Sequence, residues 1–350
     1  MHHIVVIMPR WVGDVVMSTP LLRGLRRHFH RTRITGVLRP LALELLSGST
    51  WFDDTIFYDR HSTRPELGFM SVVRQLRRLK PDVAIVIPNS LSSASLVFFG
   101  GIQRRIGMAM HYRSFFLTDA VRPPRDGWYQ KPFSSASYPV QLGQRLGMPS
   151  EPLRLELTIM PADRDLGHAV LKRLFPGFDE STPLIVLNDG AASGPSKQWG
   201  NEKVVELSHF LVKRIPAARI LIHCGPGDRD EARAVCRSVG HPAVRSLADE
   251  SEIPFGLSKS VIQRAAAVVS TDSGPRHIAA AFQRPTVVIH GPMDPVLGKS
   301  EHDDVVAARI DLPCSPCGQP ICPLKHHDCM RLLSVEDVGM DVIKFLETTS

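Results

Sequence analysis

Ile4-Val5-Val6-Ile7-Met8, running directly into Pro9-Arg10-Trp11-Val12-Gly13-Asp14-Val15-Val16-Met17-Ser18-Thr19-Pro20, joins a short β-branched run to an amphipathic stretch through a proline turn. Alternation of such runs with helical periods is the pattern of stacked βα units on a parallel sheet. It continues outward from this stretch. Strands are predicted at Ile34 to Leu38, Thr55 to Tyr58 and Val83 to Ile87. Helices are predicted at about Met17 to Phe29, Pro40 to Leu46, Leu67 to Leu79 and Tyr138 to Leu146. Met148 to Ala162 holds three prolines without a sustained period and reads as a linker. A second series follows, with strands Leu184 to Leu187, Arg219 to His223, Ala267 to Ser270 and Thr286 to Ile289. Its helices lie near Asn201 to Ile215, Asp228 to Ser238, Pro254 to Arg264, Gly274 to Phe282 and Val335 to Leu346. The expected fold class is α/β, two doubly wound halves with a cleft between the carboxyl ends of their sheets, where ligands of such sheets bind.

Length and composition agree. At 350 residues, with roughly 150 per domain, about two domains are expected. A content of 43% hydrophobic and 22% charged residues is that of a globular protein and excludes disordered, collagen-like and coiled-coil classes. No apolar run reaches the length of a transmembrane helix, and the start is too short and uncharged for a signal peptide, so a cytoplasmic location is expected. A formal charge of +7 favours anionic partners. Nucleic acid is not among those expected, because the basic residues read as dispersed and no helix-turn-helix, finger or aromatic platform accompanies them.

Three loops carry candidate chemistry. In the first, Gly13 lets backbone approach a ligand and Asp14 points a carboxylate into the cleft; the competing reading makes Asp14 a helix N-cap. No G-x-G-x-x-G occurs here, which argues against a nicotinamide enzyme. The second is Asn188-Asp189-Gly190-Ala191-Ala192-Ser193-Gly194-Pro195-Ser196-Lys197-Gln198-Trp199. Its small residues expose N–H groups that can ring an anion, and Lys197 supplies a compact positive charge for phosphate. The spacing is not that of a Walker A loop. The third is Ser270-Thr271-Asp272-Ser273-Gly274-Pro275-Arg276-His277-Ile278-Ala279-Ala280-Ala281. Asp272 and Ser273 can cap a helix beginning near Pro275, whose free N–H groups would hold a diphosphate, and His277 lies in the first turn. Gly225-Pro226-Gly227-Asp228 ends a strand and starts a helix that Asp228 can cap.

Cys314, Cys317, Cys322 and Cys329, with His326 and His327 interleaved, offer enough ligands for zinc or an iron–sulfur centre. The alternative is a proline-shaped loop pinned by reduced or partly oxidised thiols.

The stretches W-V-G-D-V-V-M-S-T-P, G-P-S-K-Q-W and T-D-S-G-P-R-H-I-A-A-A, with Pro88-Asn89-Ser90 and the Ser/Ala-rich run after it, resemble the ADP-heptose:lipopolysaccharide heptosyltransferases of glycosyltransferase family 9, especially the type II enzymes. The resemblance runs from Ile4 to the last helix. It implies a GT-B fold of two Rossmann-like domains: residues 1–160 binding the acceptor, 161–334 binding the nucleotide-sugar donor and including the Cys-rich segment 313–330, and a helix at 335–350 packing back on the first domain. It implies inverting transfer of heptose from ADP-L-glycero-D-manno-heptose to the lipopolysaccharide inner core, with no cofactor needed for catalysis. The acceptor would be acidic and lipid-anchored, met by transient contact with the inner membrane. Asp14 matches the general base; Lys197, Asp272, Ser273, Gly274 and His277 match the diphosphate site, with Gly190 beside it; Gly225 to Asp228 sits where the family contacts the adenosine ribose, so that Asp228 or Glu231 would meet the ribose, unless Asp228 is only a helix cap. Arg10 and Gly13 would meet the acceptor, with Arg104, Arg105 and Arg113 as further arginines for acidic groups. Two departures stand out. The family tends to have Pro-Gly-Ala where this chain has Asn188-Asp189-Gly190, and a proline after the tryptophan where this chain has Gly200. The alternatives are a family-9-like enzyme with another donor or acceptor, and a non-catalytic nucleotide-sugar-binding scaffold.

Overall fold

A computed structural model describes residues 1–126, 129–190, 194–302 and 304–349. The chain forms two units, Met1–Thr158 with Val296–Glu301, and Ile159–Pro295 with His302–Ser350.

The first unit is a six-stranded parallel sheet of β1 (His3–Ile7), β2 (Arg33–Leu38), β3 (Asp54–Phe57), β4 (Val83–Val86), β5 (Arg104–Met108) and β6 (Asp119–Val121), in the order β3-β2-β1-β4-β5-β6. Its helices are α1 (Val12–Met17), α2 (Thr19–His28), α3 (Pro40–Leu45), α4 (Phe69–Leu79), α5 (Leu91–Phe99) and α6 (Ser137–Gln144). Parallel strands need crossover connections, and helices on both faces bury the central strands completely. Every residue of β1 and β4 is accordingly buried. Val72, Val73 and Leu76 of α4 pack with Val5, Ile7 and Val86 in one core. Short strands β7 (Arg125–Asp126) and β8 (Tyr129–Gln130) pair antiparallel.

The helix expected over Met17 to Phe29 is α2, and a separate helix not expected from the sequence, α1, precedes it and meets it at Ser18. The Ser18 hydroxyl donates to the Asp14 carbonyl and the Thr19 hydroxyl to the Val16 carbonyl, both at 2.7 Å, and Pro20 has no N–H to continue the ladder.

The second unit repeats the plan with β9 (Leu184–Asn188), β10 (Arg219–Ile222), β11 (Val244–Ser246), β12 (Ala267–Thr271), β13 (Thr286–Ile289) and β14 (Val305–Ala308), ordered β11-β10-β9-β12-β13-β14. Its helices are α7 (Pro161–Leu174), α8 (Asn201–Arg214), α9 (Arg229–Val239), α10 (Phe255–Arg264), α11 (Gly274–Ala281), α12 (Asp328–Arg331) and α13 (Val335–Thr349). The expectation that the last helix returns to the first domain is corrected by its contacts. Helix α13 packs on α8, β12 and β13 of its own unit, with Val338 and Val342 fully buried. The segment Val296–Glu301 belongs instead with the first unit: the Ser135 N–H donates to the Leu297 carbonyl at 2.8 Å, and the Leu153 N–H to the Glu301 carboxylate at 2.9 Å.

Where α13 crosses α8, a Cβ on Gly339 would lie 2.5 Å from the Phe210 ring. Gly339→Val is therefore expected to cost about 1–3 kcal/mol by overpacking, read as a lower urea midpoint; an unchanged midpoint would mean that α13 is not packed this way.

Candidate active site

In each sheet the strand order reverses beside the first strand, at β1/β4 and at β9/β12. Connections leave such a pair toward opposite faces, opening a crevice at the carboxyl ends. In the first unit, the loops after β1 and β4 line a cavity of about 530 Å³ with Arg10, Trp11, Asp14, Asn89, Ser90 and Tyr138. Asp14 does not cap the helix. Trp11 is the N-cap of α1, and Asp14 lies in its first turn, where the helix dipole favours a carboxylate. The Tyr138 hydroxyl donates to the Ile87 carbonyl at 3.0 Å; burial pushes this phenol's pKa up, and the Asp14 charge pushes it the same way. The exposed Arg10 guanidinium lies 5.1 Å from the centre of the Trp11 ring, while Gly13 has ordinary helical backbone as the second residue of α1.

The other arginines read from the sequence as facing acidic groups do structural work. Arg113 is wholly buried and donates to the Met108 and Pro88 carbonyls and to Asn89 Oδ1, holding the loop after β4. Its burial lowers its pKa to about 10. Arg104 pairs with Asp119, and Arg105 donates to the Phe116 and Ile102 carbonyls.

In the second unit, Lys197 Nζ lies 3.0 Å from both the Asp272 carbonyl and carboxylate, and the Arg276 guanidinium lies 2.6 Å from the other carboxylate oxygen. Burial alone would raise the Asp272 pKa. The Arg276 and Lys197 charges more than offset this and hold it well below the usual carboxylate range. Two cations around one anion leave the cluster positive. His277 is buried in the first turn of α11, and its pKa is lowered well below the ordinary value by burial and then by Arg276, which keeps the ring neutral. Gly274 is the first residue of α11 and Ser273 its N-cap, yet the expected side-chain cap is missing. The Ser273 hydroxyl instead takes a hydrogen bond from Asn188 Nδ2 at 3.0 Å.

Sequence reading missed the network beneath. Asn188 Oδ1 meets His223 Nδ1 at 3.2 Å, and His223 Nε2 meets Ser258 Oγ at 3.0 Å. Burial lowers the His223 pKa to about 4. The only signal was the polar Asn188 and His223 closing otherwise apolar strands. The Gly190 carbonyl accepts from Thr271 Oγ1 at 3.1 Å, and a Cβ on Gly190 would lie 2.8 Å from the Asp228 carboxylate. Asp228 precedes α9 but makes no side-chain cap, so it borders the loop rather than capping; Glu231 lies in the first turn of α9. The small residues Ala191, Ala192 and Ser193 lie outside the described residues.

Asp189 closes this loop on itself. Its two oxygens accept the Trp199 N–H at 2.6 Å and the Gly200 N–H at 2.9 Å.

The model of glycosyltransferase family 9 (heptosyltransferase) matches residues 69–327. The chain belongs to glycosyltransferase family 9. Lipopolysaccharide heptosyltransferase 2 of Salmonella typhimurium is 30% identical over 300 residues, covering 83% of each chain. The Escherichia coli K12 enzyme of the same name is 28% identical over the same share. Among solved structures, the fold matches E. coli ADP-heptose lipopolysaccharide heptosyltransferase II with a TM-score of 0.77 at 23% identity, covering 100% of this chain and 99% of that one. A family 9 glycosyltransferase from Veillonella parvula matches at 0.80 and 20% identity, over 99% and 97%. These likenesses make the fold GT-B, two Rossmann-like sheets.

Within this family 9 chain the two departures from the usual pattern are partners. A proline at position 200 would have no N–H to give, whereas Gly200, at φ +108°, gives its N–H to Asp189. The Cys-rich segment braces the same loop from outside. The Ser196 hydroxyl donates to the Gln319 carbonyl at 2.6 Å, the Ser196 N–H to the Pro320 carbonyl at 3.2 Å, and His327 Nε2 to the Ser196 carbonyl at 2.7 Å. Cys314, Cys317, Cys322 and Cys329 line one cavity of about 210 Å³ with His326 and His327. Among the described residues, however, no three His, Cys, Asp or Glu side chains come together closely enough to hold a metal ion.

Burial raises the Asp189 pKa to about 6, with Asp228 adding to the shift and the two N–H groups and His327 opposing it. The folded chain therefore binds this proton more tightly than the unfolded chain between 3.8 and about 6. Stability from this group falls as pH rises through that window, by up to about 1.4 kcal/mol per pH unit. Asp189→Asn is expected to flatten that slope in urea titrations at stepped pH; an identical slope would mean that Asp189 does not titrate there.

Proposed function

We propose that this chain is an inverting glycosyltransferase that moves heptose from ADP-L-glycero-D-manno-heptose to the inner core of lipopolysaccharide. The observation that carries the reading is the Lys197–Asp272–Arg276 cluster at the carboxyl ends of β9 and β12, a net positive site beside the N-terminus of α11. Fixed cations and free N–H groups at a helix start suit a diphosphate, most of all as it departs and gathers charge. The second unit is accordingly read as the donor side, with Lys197, Asp272, Ser273 and Gly274 at the diphosphate, Gly190 and Asp228 beside it, and the neutral His277 packed behind.

The first unit is read as the acceptor side, with Asp14 as general base and Arg10 and Gly13 near the acceptor. The Asp14 carboxylate takes the acceptor hydroxyl's proton as that oxygen bonds to the anomeric carbon. The bond from that carbon to the diphosphate breaks on the opposite face, inverting the centre, and ADP leaves with the bonding pair. A lipid-held acceptor would bring the protein to the cytoplasmic face of the inner membrane; among the described residues no helix is long and apolar enough to cross it.

Two substitutions test the roles. Asp14→Asn is expected to lower kcat by about 10²- to 10⁴-fold while leaving ADP affinity unchanged in calorimetry. Near-normal transfer from synthetic ADP-heptose would remove Asp14 as the base. Lys197→Ala is expected to weaken ADP binding by about ten- to a hundredfold, as befits a lost charge-assisted contact. Unchanged affinity would move the phosphate site elsewhere, and preference for UDP or GDP over ADP would replace the heptosyl donor.

A further inference from the structure

The first unit carries an exposed aromatic face outside the Asp14 cavity. Phe98 and Phe99 end α5, and the turn Arg113–Phe116 brings Phe115 and Phe116 against them. Ring centres lie 5.4 Å apart for Phe98–Phe99, 5.2 Å for Phe98–Phe116 and 5.5 Å for Phe115–Phe116. Phe115 is 81% exposed and the neighbouring Tyr112 fully exposed, with Phe98 and Phe99 also open to solvent. A contiguous aromatic surface of this kind marks an interaction site rather than scattered surface residues.

Its rim is cationic and fixed. Arg77 donates to the Phe99 carbonyl at 2.8 Å; Arg105 donates to the Phe116 carbonyl at 2.7 Å and lies 5.4 Å from the centre of the Phe98 ring. Arg74 shares the exposed side of α4 with Arg77. Between Glu66 and Asp119 the sequence holds one acidic residue, Asp82, and it is engaged by the backbone N–H groups of His2 and His3. Residues 1–158 hold half of the chain's 42 Lys and Arg but fewer than a third of its 35 Asp and Glu, so the positive charge is concentrated in this unit. That refines the reading of the basic residues as dispersed.

We propose that this face docks on an anionic phospholipid bilayer, the rings entering the interface and the arginines meeting the headgroups. The charge selects the occupant. A second copy applied face to face would set arginine rim against arginine rim, whereas anionic lipid answers both the charge and the aromatic surface. Helix α5 ties the face to the cavity: Ser90, Ser92 and Ser93 at its start line the cavity, and Phe98 and Phe99 end it about 13 Å away. A sugar attached to a lipid in the docked leaflet would then lie within reach of Asp14. This link rests on the proposed acceptor; the docking face itself does not.

The test is co-sedimentation with vesicles of phosphatidylethanolamine and phosphatidylglycerol, against phosphatidylcholine alone. The full chain is expected to bind the anionic vesicles only, and Phe115→Asp to bind about tenfold more weakly. Arg74→Glu is expected to weaken binding too, and the Phe115→Asp variant to keep wild-type ADP affinity and turnover on a deacylated, water-soluble acceptor. Equal binding by wild type and Phe115→Asp, or none by wild type, would overturn the proposal. So would a dimer in light scattering that Phe115→Asp dissolves, which would make the face a self-interface. Vesicle binding lost in Phe115→Asp, in a protein that transfers no heptose, would support the surface while removing the lipid-linked acceptor.

Discussion

Parallel strands whose connections part to opposite faces leave a crevice that the main chain does not fill. This constraint governs both units. In each, the order reverses next to the first strand, and the loops that begin at that strand and at its crossover neighbour carry the polar residues. Of the central strands, β4 is wholly apolar and β1 and β9 nearly so, because both faces are covered. The candidate site residues all lie at carboxyl ends: Asp14 follows β1, Lys197 follows β9 and Asp272 follows β12.

Within the second crevice, electrostatics does most of the organising. A buried carboxylate is costly unless it is paired, and Asp272 is paired twice. Nearby, burial favours uncharged rings at His277, His290 and His223, and the charges that hold Asp272 ionised are those of Arg276 and Lys197. Asp189 is the counterexample that proves instructive: its charge is disfavoured by burial, yet two backbone N–H groups converge on it and shape the loop. An acid that looks misplaced in a loop of small residues is part of that loop's fastening.

How much of this was legible in the sequence depended on whether a residue's role was local. Strands β1, β2, β9 and β13 were read to within a residue or so because their apolar runs are continuous. The short edge strands β6 and β11 give too few residues for a pattern, and β5 begins with two arginines. Helix α5 was missed because its Ser/Ala-rich run has no marked polar face. The break at Ser18 depends on hydroxyl-to-carbonyl bonds that residue spacing does not reveal. At the site, Asp14, Lys197 and Asp272 were visible from their loops. Long-range partners were not: the burial of Arg113, the bond between Asp189 and Gly200, and the bracing of Ser196 by Gln319 and Pro320 join residues far apart in sequence or across a loop.

The six residues Val296–Glu301 leave the second unit, join the first, and return. The chain therefore passes between the units three times, not once. A single cut after Thr158 would free neither half intact, since the first would lack its strap and the second would retain a stray loop. The two halves are consequently not interchangeable cassettes. Exchanging the first unit between relatives would require two splice points, or a transplanted strap matched to Ser135 and Leu153, which places a topological limit on how recombination can diversify such a chain.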